Sequence, residues 1–241
     1  MRYDHRPFWV KRSLMAFAAR WARHFREPDF DALGPGYRFF KPWYVWVHGG
    51  PVVAGANLHI VSARDGRVQL SVWRGEQTNG HIAIGDDCLI CPAVRISSAT
   101  EIRIGNGCML AHGVYVTDAD WHDLYDRTQA IGATSPVVIG DNVWLGDSAF
   151  VGKGVTIGDN AIVGARAVVV DDVPANAIVA GNPARLVKEL DPEQACVTRD
   201  SLFALPPDEY ARRDAAFDRL ATAGNSLANW LRARMFPRRG D

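Results

Sequence analysis

Residues 139–174 read, in blocks of six, IGDNVW, LGDSAF, VGKGVT, IGDNAI, VGARAV and VVDDVP. A branched apolar residue opens every block, glycine follows it in five of the six, and a small or branched apolar residue stands fifth. A helix repeats every 3.6 residues and a strand every two, so a period of six fits neither. It is typical of a solenoid, in which short strands and turns stack coil upon coil. We expect the first residue of each block to point into the shaft and the glycine to allow the corner that follows.

The same period occurs upstream and extends the solenoid toward the N-terminus. Its opening positions, with a slip of two residues in the middle, are Ile84, Ile90, Ile96, Ile104, Leu110 and Val116. Residues 58–73 alternate as strands do, and they are a candidate start of the solenoid. Coils stacked about 4.8 Å apart let each strand hydrogen-bond the strands above and below it. The sequence therefore predicts an all-β solenoid as the main body of the chain.

Two stretches of the solenoid resemble a known family. Residues 139–146, IGDNVWLG, and residues 179–185, VAGNPAR, resemble the maltose/galactoside and xenobiotic acetyltransferase branch of the hexapeptide-repeat acyltransferases. The resemblance covers residues 80–190. It implies a left-handed parallel β-helix, assembled as a homotrimer with its sites between subunits. It also implies a reaction in which acetyl-CoA, without any metal, donates the acyl group.

The segments on either side of the repeat have a different character. We predict an N-terminal helical arm and linker over residues 1–50, the β-helix over residues 51–190, and a C-terminal helical extension over residues 191–241. Apolar residues at helical spacing indicate the helix of the arm and the last helix of the extension, and Pro206-Pro207 indicates the start of the helix between them. These three helices are expected at residues 9–26, 207–222 and 226–236.

The formal net charge is zero, but the charge is unevenly distributed. Residues 1–26 carry seven Lys/Arg against one acid (+6), residues 225–241 carry four against one (+3), and the middle therefore sums to −9. An acidic middle argues against a nucleic-acid-binding core. Two interpretations of the basic ends stay open. They pack against the shaft or a neighbouring subunit, or they contact an anionic membrane surface near a lipid-linked acceptor.

The sequence favours the cytoplasm as the location. No apolar run reaches the roughly 18–20 residues that a membrane span needs. Four cysteines are few for 241 residues and do not suggest a disulfide framework. The alternative is peripheral attachment at the inner face of the membrane through the basic ends.

The repeat is interrupted by one long loop, which is where we expect the chemistry. Twenty-three residues separate Val116 from Ile139, so residues 118–137 must leave the shaft and return. Long excursions from a rigid scaffold are usually functional or disordered. This one contains a single histidine, His122. Imidazole is suited to accept a proton from an acceptor that attacks a thioester near neutral pH. Asp120 or Asp123 could orient its ring.

The resemblance assigns further residues position by position. It implies His122 as the catalytic base, while Asp118 and Trp121 are candidate acceptor contacts. The positions that match cofactor contacts of the family are Trp144, Gly146, Ala165, Arg185 and Lys188. Three positions depart from the galactoside-type members, because Asp147 and Asp171 stand where those proteins offer Ser and Lys to the cofactor, and Cys91 stands where they offer Asn to the sugar.

The function expected is acetyl transfer from acetyl-CoA to a hydroxyl of a carbohydrate or glycan precursor in a ternary complex. An amine acceptor is the less favoured variant. One alternative is a non-catalytic scaffold or binding solenoid. Another is a γ-type carbonic anhydrase, which needs three histidines on zinc, two of them five residues apart. The chain offers His81, His112 and His122, the last two ten residues apart.

Overall fold

The computed structural model describes residues 3–75, 78–191, 193–239 and 241. Met1 and Arg2 of the predicted arm, and Pro192 and Gly240 of the predicted extension, lie outside the described residues. The α-helices are α1 (Phe8–Phe25), α2 (Pro207–Ala221) and α3 (Leu227–Met235). Short 3-10 helices occupy Glu27–Asp29, Pro42–Tyr44 and Arg199–Leu202.

The strands, numbered in chain order, form three main sheets and one hairpin. Sheet I contains β1 (Ala32–Leu33), β4 (Val52–Ala54), β9 (Ile82–Ile84), β12 (Ile102–Ile104), β15 (Val137–Ile139) and β18 (Thr156–Ile157). Sheet II contains β2 (Arg38–Phe40), β5 (His59–Val61), β10 (Leu89–Ile90), β13 (Met109–Leu110), β16 (Trp144–Leu145), β19 (Ile162–Val163), β21 (Ala177–Ala180) and β22 (Arg185–Glu189). Sheet III contains β3 (Val45–His48), β6 (Val68–Val72), β11 (Arg95–Ser98), β14 (Tyr115–Thr117), β17 (Phe150–Val151) and β20 (Val168–Val169). The hairpin consists of β7 (Arg74–Gly75) and β8 (Thr78–Asn79).

The chain visits the three sheets in the same order in every coil. Six successive coils each place one strand in sheet I, one in sheet II and one in sheet III, and each strand pairs in parallel with its counterpart one coil further along. The turn from sheet II to sheet III is called corner II/III here, and the turn from sheet III back to sheet I is called corner III/I. Within the described ranges, antiparallel strand pairs occur at β7–β8 and at β21–β22.

The six-residue period correctly identifies the core. The opening residues of the blocks at 139–174 are all buried: Ile139, Leu145, Val151, Ile157, Val163 and Val169. Their fifth positions are buried as well. The side chains from three sheets therefore meet in one continuous apolar shaft.

The glycines of the repeat have a different role from the one expected of them. The residue with positive φ is the fourth of the first five blocks, as in Asn142 and Asn160, while the glycine at the second position does not have it. A Cβ added at Gly146 would lie 2.7 Å from the backbone nitrogen of Ala165 in the next coil. Glycine is needed because consecutive coils approach each other closely there, not because of the corner.

The solenoid begins earlier than the sequence indicates. Strands β1, β2 and β3 pair with the coil above them, so the first coil starts at Ala32, inside the predicted arm and linker of residues 1–50. In this coil a buried aromatic residue, Phe39, takes the core position that a branched residue, Ile60, holds in the next coil. The strands expected within residues 58–73 are present, but they belong to the second coil.

The helices pack at the N-terminal end of the shaft. Ala22 of α1 is buried and joins the core cluster that contains Phe30 and Phe39. Lys11 of α1 pairs with Asp218 of α2 at 2.6 Å. Among the residues described, no helix is long and apolar enough to cross a membrane.

Candidate functional site

The long excursion leaves the shaft at corner III/I of the fourth coil, between β14 and β15. Its two ends form a short ribbon, with Ala119 bridged to Thr134 and the Asp120 N–H donating to the Ala133 carbonyl at 2.9 Å. The Gly132 N–H donates in turn to the Asp120 carbonyl at 2.8 Å. These bonds close the loop at its base, so the residues beyond Asp120 project from a fixed stem.

Asp118 holds this stem to the shaft. Its side chain is fully buried, and its Oδ1 accepts from the Ala99 N–H at 2.7 Å. Its Oδ2 accepts from the Ser98 hydroxyl at 2.7 Å and from the Thr100 N–H at 2.9 Å. Both oxygens are engaged and the side chain is shut off from solvent, so it does not reach a ligand at the surface. The expected role of Asp118 as an acceptor contact is therefore replaced by that of a buried anchor.

Neither of the two acids considered as orienting groups contacts the imidazole of His122. Asp120 forms an ion pair with Lys153, whose Nζ lies 2.8 Å from both carboxylate oxygens. Asp123 accepts from the backbone N–H groups of Asp126 and Tyr125, which lower the pKa of its carboxyl. Both acids shape the loop around the histidine.

The backbone of His122 is held by the returning limb of the loop, whereas its imidazole has no hydrogen-bond partner among the described residues. A Cβ added at Gly132 would lie 2.5 Å from the His122 carbonyl oxygen, so the returning limb of the loop packs directly on the His122 backbone. The side chain is exposed, and no hydrogen bond to its imidazole occurs among the described residues. A histidine in this state can take up a proton from a ligand at the loop.

Trp121 turns back onto sheet III beside His122. Its indole N–H donates to the Tyr115 hydroxyl at 2.9 Å, and its ring lies 5.7 Å from that of Trp73. Arg95 stacks over the Tyr115 ring at 4.1 Å. The indole N–H is occupied by the Tyr115 hydroxyl, so contact between Trp121 and an acceptor would be made by the faces of the ring.

Three of the residues expected at the cofactor lie on sheet II or at corner II/III. Trp144 pairs with Met109 and Ile162 in the coils on either side, and its side chain is 47% exposed. Gly146 and the exposed Ala165 lie at corner II/III of adjacent coils, one stacked on the other. The structure therefore brings these three together along one edge of the shaft.

The two basic residues expected at the cofactor lie on β22, at the end of sheet II. Both side chains are exposed. Arg185 donates from Nη1 to Asp171 at 3.0 Å and to the carbonyl of Ala184 at 2.8 Å. An exposed pair of this kind contributes little stability and opens readily. Asp171 nevertheless competes with any phosphate for Arg185.

Within one chain the base and the cofactor edge are apart. His122 projects from corner III/I, whereas Trp144, Gly146 and Ala165 lie on sheet II and corner II/III, and the strands of sheet III run between them. The predicted residues form two half-sites on opposite edges of sheet III.

The histidines of the carbonic anhydrase alternative lie on different coils or at different corners, since His81 and His122 share corner III/I two coils apart. His81 is at corner III/I of the second coil with Nδ1 3.9 Å from Glu101, and His112 is at corner II/III with Nδ1 3.5 Å from Asp147. Across the described ranges, no group of three or more His, Cys, Asp or Glu side chains could hold a metal ion.

Several residues of the site were not predicted as such. Lys153 stands in the block VGKGVT, where the sequence shows only a solenoid corner, and its ion pair with Asp120 depends on a loop 33 residues away. Ser98 and Tyr115 are ordinary positions of the repeat, and nothing in their spacing indicates that they bind the excursion loop. The hydrophobic period carries no information about contacts made on the outside of the shaft.

Short parallel strands in three sheets with a six-residue period are what hexapeptide repeats form. A family model described as "Bacterial transferase hexapeptide (six repeats)" matches residues 136–171. The chain thus carries the hexapeptide repeat of the bacterial transferases, and the resemblance to hexapeptide-repeat acyltransferases is confirmed.

Curated relatives match over part of their length. WbbJ of Escherichia coli, provisionally named a lipopolysaccharide biosynthesis O-acetyl transferase, is 31% identical over 125 residues, which are 47% of this chain and 63% of that protein. A polysialic acid O-acetyltransferase of Escherichia coli is 39% identical over 95 residues, 39% of this chain and 31% of that protein. The chain spans less than two thirds of the length of either relative.

A solved structure supports the fold. A mutant of AntD, an N-acyltransferase from Bacillus cereus in complex with dTDP-4-amino-4,6-dideoxyglucose and coenzyme A, superposes with a TM-score of 0.57. The match covers 70% of this chain and 89% of that one at 18% sequence identity. At this identity the likeness concerns the architecture alone.

Proposed function

We propose that this protein is an acetyl-CoA-dependent O-acetyltransferase whose acceptor is a hydroxyl of a carbohydrate or glycan precursor. The observation that carries the proposal is His122, an exposed imidazole without a hydrogen-bond partner among the described residues, on a loop anchored by a buried carboxylate. The confirmed resemblance supports the same base.

The reaction would proceed by direct attack in a ternary complex. The His122 imidazole accepts the proton of the acceptor hydroxyl while the oxygen of that hydroxyl forms a bond to the carbonyl carbon of acetyl-CoA. The resulting tetrahedral oxyanion needs a fixed donor, which a backbone N–H of the shaft would supply. The C–S bond then breaks, the ester is released, and the thiolate of coenzyme A takes the proton back from the imidazolium. No covalent intermediate with the protein is needed.

Acetyl-CoA would lie along sheet II and corner II/III. Trp144 offers an exposed ring beside the pantetheine, and Gly146 and Ala165 allow close approach to the backbone. Arg185 and Lys188 would face the phosphates, once Arg185 has exchanged Asp171 for a phosphate oxygen. Coenzyme A is named in the complexes of related folds, which supports this choice of donor.

The assembly that we propose is a homotrimer of left-handed coils, with each site shared by two subunits. The separation of His122 from the cofactor edge within one chain supports this arrangement, because a neighbouring copy would bring the missing half-site to each loop. The left-handed sense and the trimer are both implied by the family resemblance.

A carbohydrate acceptor is supported by the surface beside His122. The rings of Trp73 and Trp121 lie 5.7 Å apart on that side of the loop, and aromatic faces suit the apolar C–H faces of sugar rings. WbbJ and the polysialic acid O-acetyltransferase carry names that refer to glycans and to O-acetyl transfer. The O-linked product is therefore preferred to the N-linked one.

The proposal is tested by thiol release from acetyl-CoA against a panel of neutral sugars, acidic sugars and amino sugars. Wild type should release coenzyme A thiol with at least one sugar hydroxyl acceptor. His122→Ala should lose activity by roughly a hundredfold or more, the range of general-base catalysis. His24→Ala is the matched control, since it removes another exposed histidine, on α1, away from both half-sites.

Two outcomes would reject the proposal. One is equal turnover by His122→Ala and wild type with every acceptor that reacts. The other is the absence of thiol release across the panel together with no binding of coenzyme A, which would favour the non-catalytic scaffold.

A further inference from the structure

The apolar face of α1 is only partly covered by its own chain. Helix α1 turns Val10 and Ala22 inward, where both are buried. Trp9 and Phe17 lie eight residues apart on α1 and are 58% and 57% exposed. Neither ring contacts another aromatic ring or a cation within the described residues. Two large aromatic side chains are thus held in water by a well-anchored helix.

The two C-terminal helices show the same feature. Phe217 and Leu220 of α2 are three residues apart and are 70% and 78% exposed. Helix α3 exposes Leu227, Leu231 and Met235, which stand at i, i+4 and i+8 and form one stripe. Each of the three helices therefore presents apolar side chains to solvent on a regular helical face, which monomeric proteins rarely do with several neighbouring elements.

Direct contacts join the three helices at one end of the shaft, in an assembly that we call the helical cap (α1, α2, α3 and residues 3–7). Lys11 of α1 pairs with Asp218 of α2 at 2.6 Å. The Asn225 amide, just before α3, donates to the carbonyls of Asp4 and Arg6 at 2.6 Å and 2.9 Å. The apolar faces consequently belong to one unit beyond the first coil and away from the predicted site.

The exposed charge of the helical cap is basic. Arg20 of α1 lies on the same side as Trp9 and Phe17, eleven residues beyond Trp9 and three beyond Phe17. Arg234 lies on α3 just before Met235, and Arg239 follows the helix. In the part of the chain that is described, none of these three arginines has a carboxylate partner.

We propose that the helical cap binds the surface of an anionic lipid bilayer, with Trp9 and Phe17 inserted at the interface and the arginines against the lipid headgroups. Helices that combine an apolar face with Lys and Arg lie in the plane of such an interface. Charge decides between this occupant and a second copy of the cap, because two identical basic faces would repel each other. The proposal goes beyond acetyl transfer and does not depend on it.

The experiment is co-sedimentation of the full chain with vesicles of phosphatidylcholine alone and with vesicles containing 30% phosphatidylglycerol, at about 0.1 M salt. Wild type should bind the anionic vesicles and not the neutral ones. The double variant Trp9→Glu/Phe17→Glu should weaken binding on the order of a hundredfold, because it removes two inserted rings and adds two repelled charges. Exchanging Arg20, Arg234 and Arg239 for glutamine should weaken it by about fivefold per charge.

Val170→Glu/Val197→Glu is the matched control, since it adds the same charges at exposed apolar positions outside the cap and should keep wild-type binding. Thermal unfolding of each variant should match wild type, because the altered side chains face solvent. Failure of the intact protein to sediment with anionic vesicles, or equal loss in the control, overturns the proposal. So does a change of oligomeric state in Trp9→Glu/Phe17→Glu without vesicle binding by wild type, which would assign the face to a second copy. Thiol release with a soluble acceptor is measured in parallel and should be unchanged in Trp9→Glu/Phe17→Glu.

Discussion

Replacing Asp118 by asparagine tests whether a buried carboxylate fixes the loop that carries His122. The amide retains one oxygen, which can serve the Ser98 hydroxyl and the Thr100 N–H, and turns its NH2 group toward the Ala99 N–H. An unpaired buried donor costs about 1–3 kcal/mol, and the two remaining bonds lose their charge assistance. We expect a destabilisation of about 3 kcal/mol, which lowers the melting temperature of a chain of this size by roughly 6–12 °C.

The assay combines thermal unfolding with steady-state acetyl transfer. A loosened stem should also reduce kcat by about tenfold or more, because small displacements of a catalytic group are costly. Asp126→Asn is the matched control, since Asp126 lies in the same loop but bonds only to neighbours within it, such as Thr128. Loss of activity with an unchanged melting temperature would refute the anchoring argument, because Asp118 would then act on a ligand and not on the loop.

Three further changes follow from the same contacts. Lys153→Met should lower kcat without altering the KM for acetyl-CoA, and the free energy of unfolding should fall by less than about 1 kcal/mol because the ion pair with Asp120 is one-third exposed. Steady-state kinetics and urea unfolding measure the two effects. A changed KM with constant kcat would contradict the assignment of Lys153 to the loop that carries His122. Trp144→Ala should raise that KM by roughly tenfold and leave the melting temperature constant, since the ring is half exposed on the outside of sheet II. Burial, followed by the charges of Arg199 and Arg38, lowers the pKa of His59 to about 4, against about 6.5 when unfolded. Between about pH 4 and 6.5 the His59 imidazole is therefore protonated in the unfolded chain but neutral in the folded one. The urea midpoint should fall as the pH drops from about 6.5 toward 4, and His59→Leu should flatten that decline.

The inner surface of the shaft could be predicted from the sequence because the six-residue period directly marks the residues that are buried. Residues such as Leu145 and Val163 face inward as soon as the coil repeats every eighteen residues, three blocks of six. The first coil could not be found in this way. Phe39 and Val47 pair with Ile60 and Leu70 of the next coil but stand eight residues apart, because the 3-10 helix Pro42–Tyr44 lies between them.

The sequence predicts which types of residue form the site, but not which of these residues contact one another. A single histidine in the only long break of the repeat is visible in the sequence. The role of Asp118 is not, because its three donors lie at the corner of the preceding coil, about twenty residues earlier. The basic character of α1 was likewise visible, but the outward direction of Phe17 depends on which side of the helix the first coil covers.

A crystal structure of the assembled protein with coenzyme A is the most direct test of the proposed chemistry. We predict that the thiol lies at a groove between two chains, close enough to one imidazole of His122 for an acceptor hydroxyl to bridge them directly or through one water. A cofactor bound along sheet II with its thiol out of reach of every His122 would contradict the assignment of the base. A monomer that holds the complete site by itself would contradict the shared site.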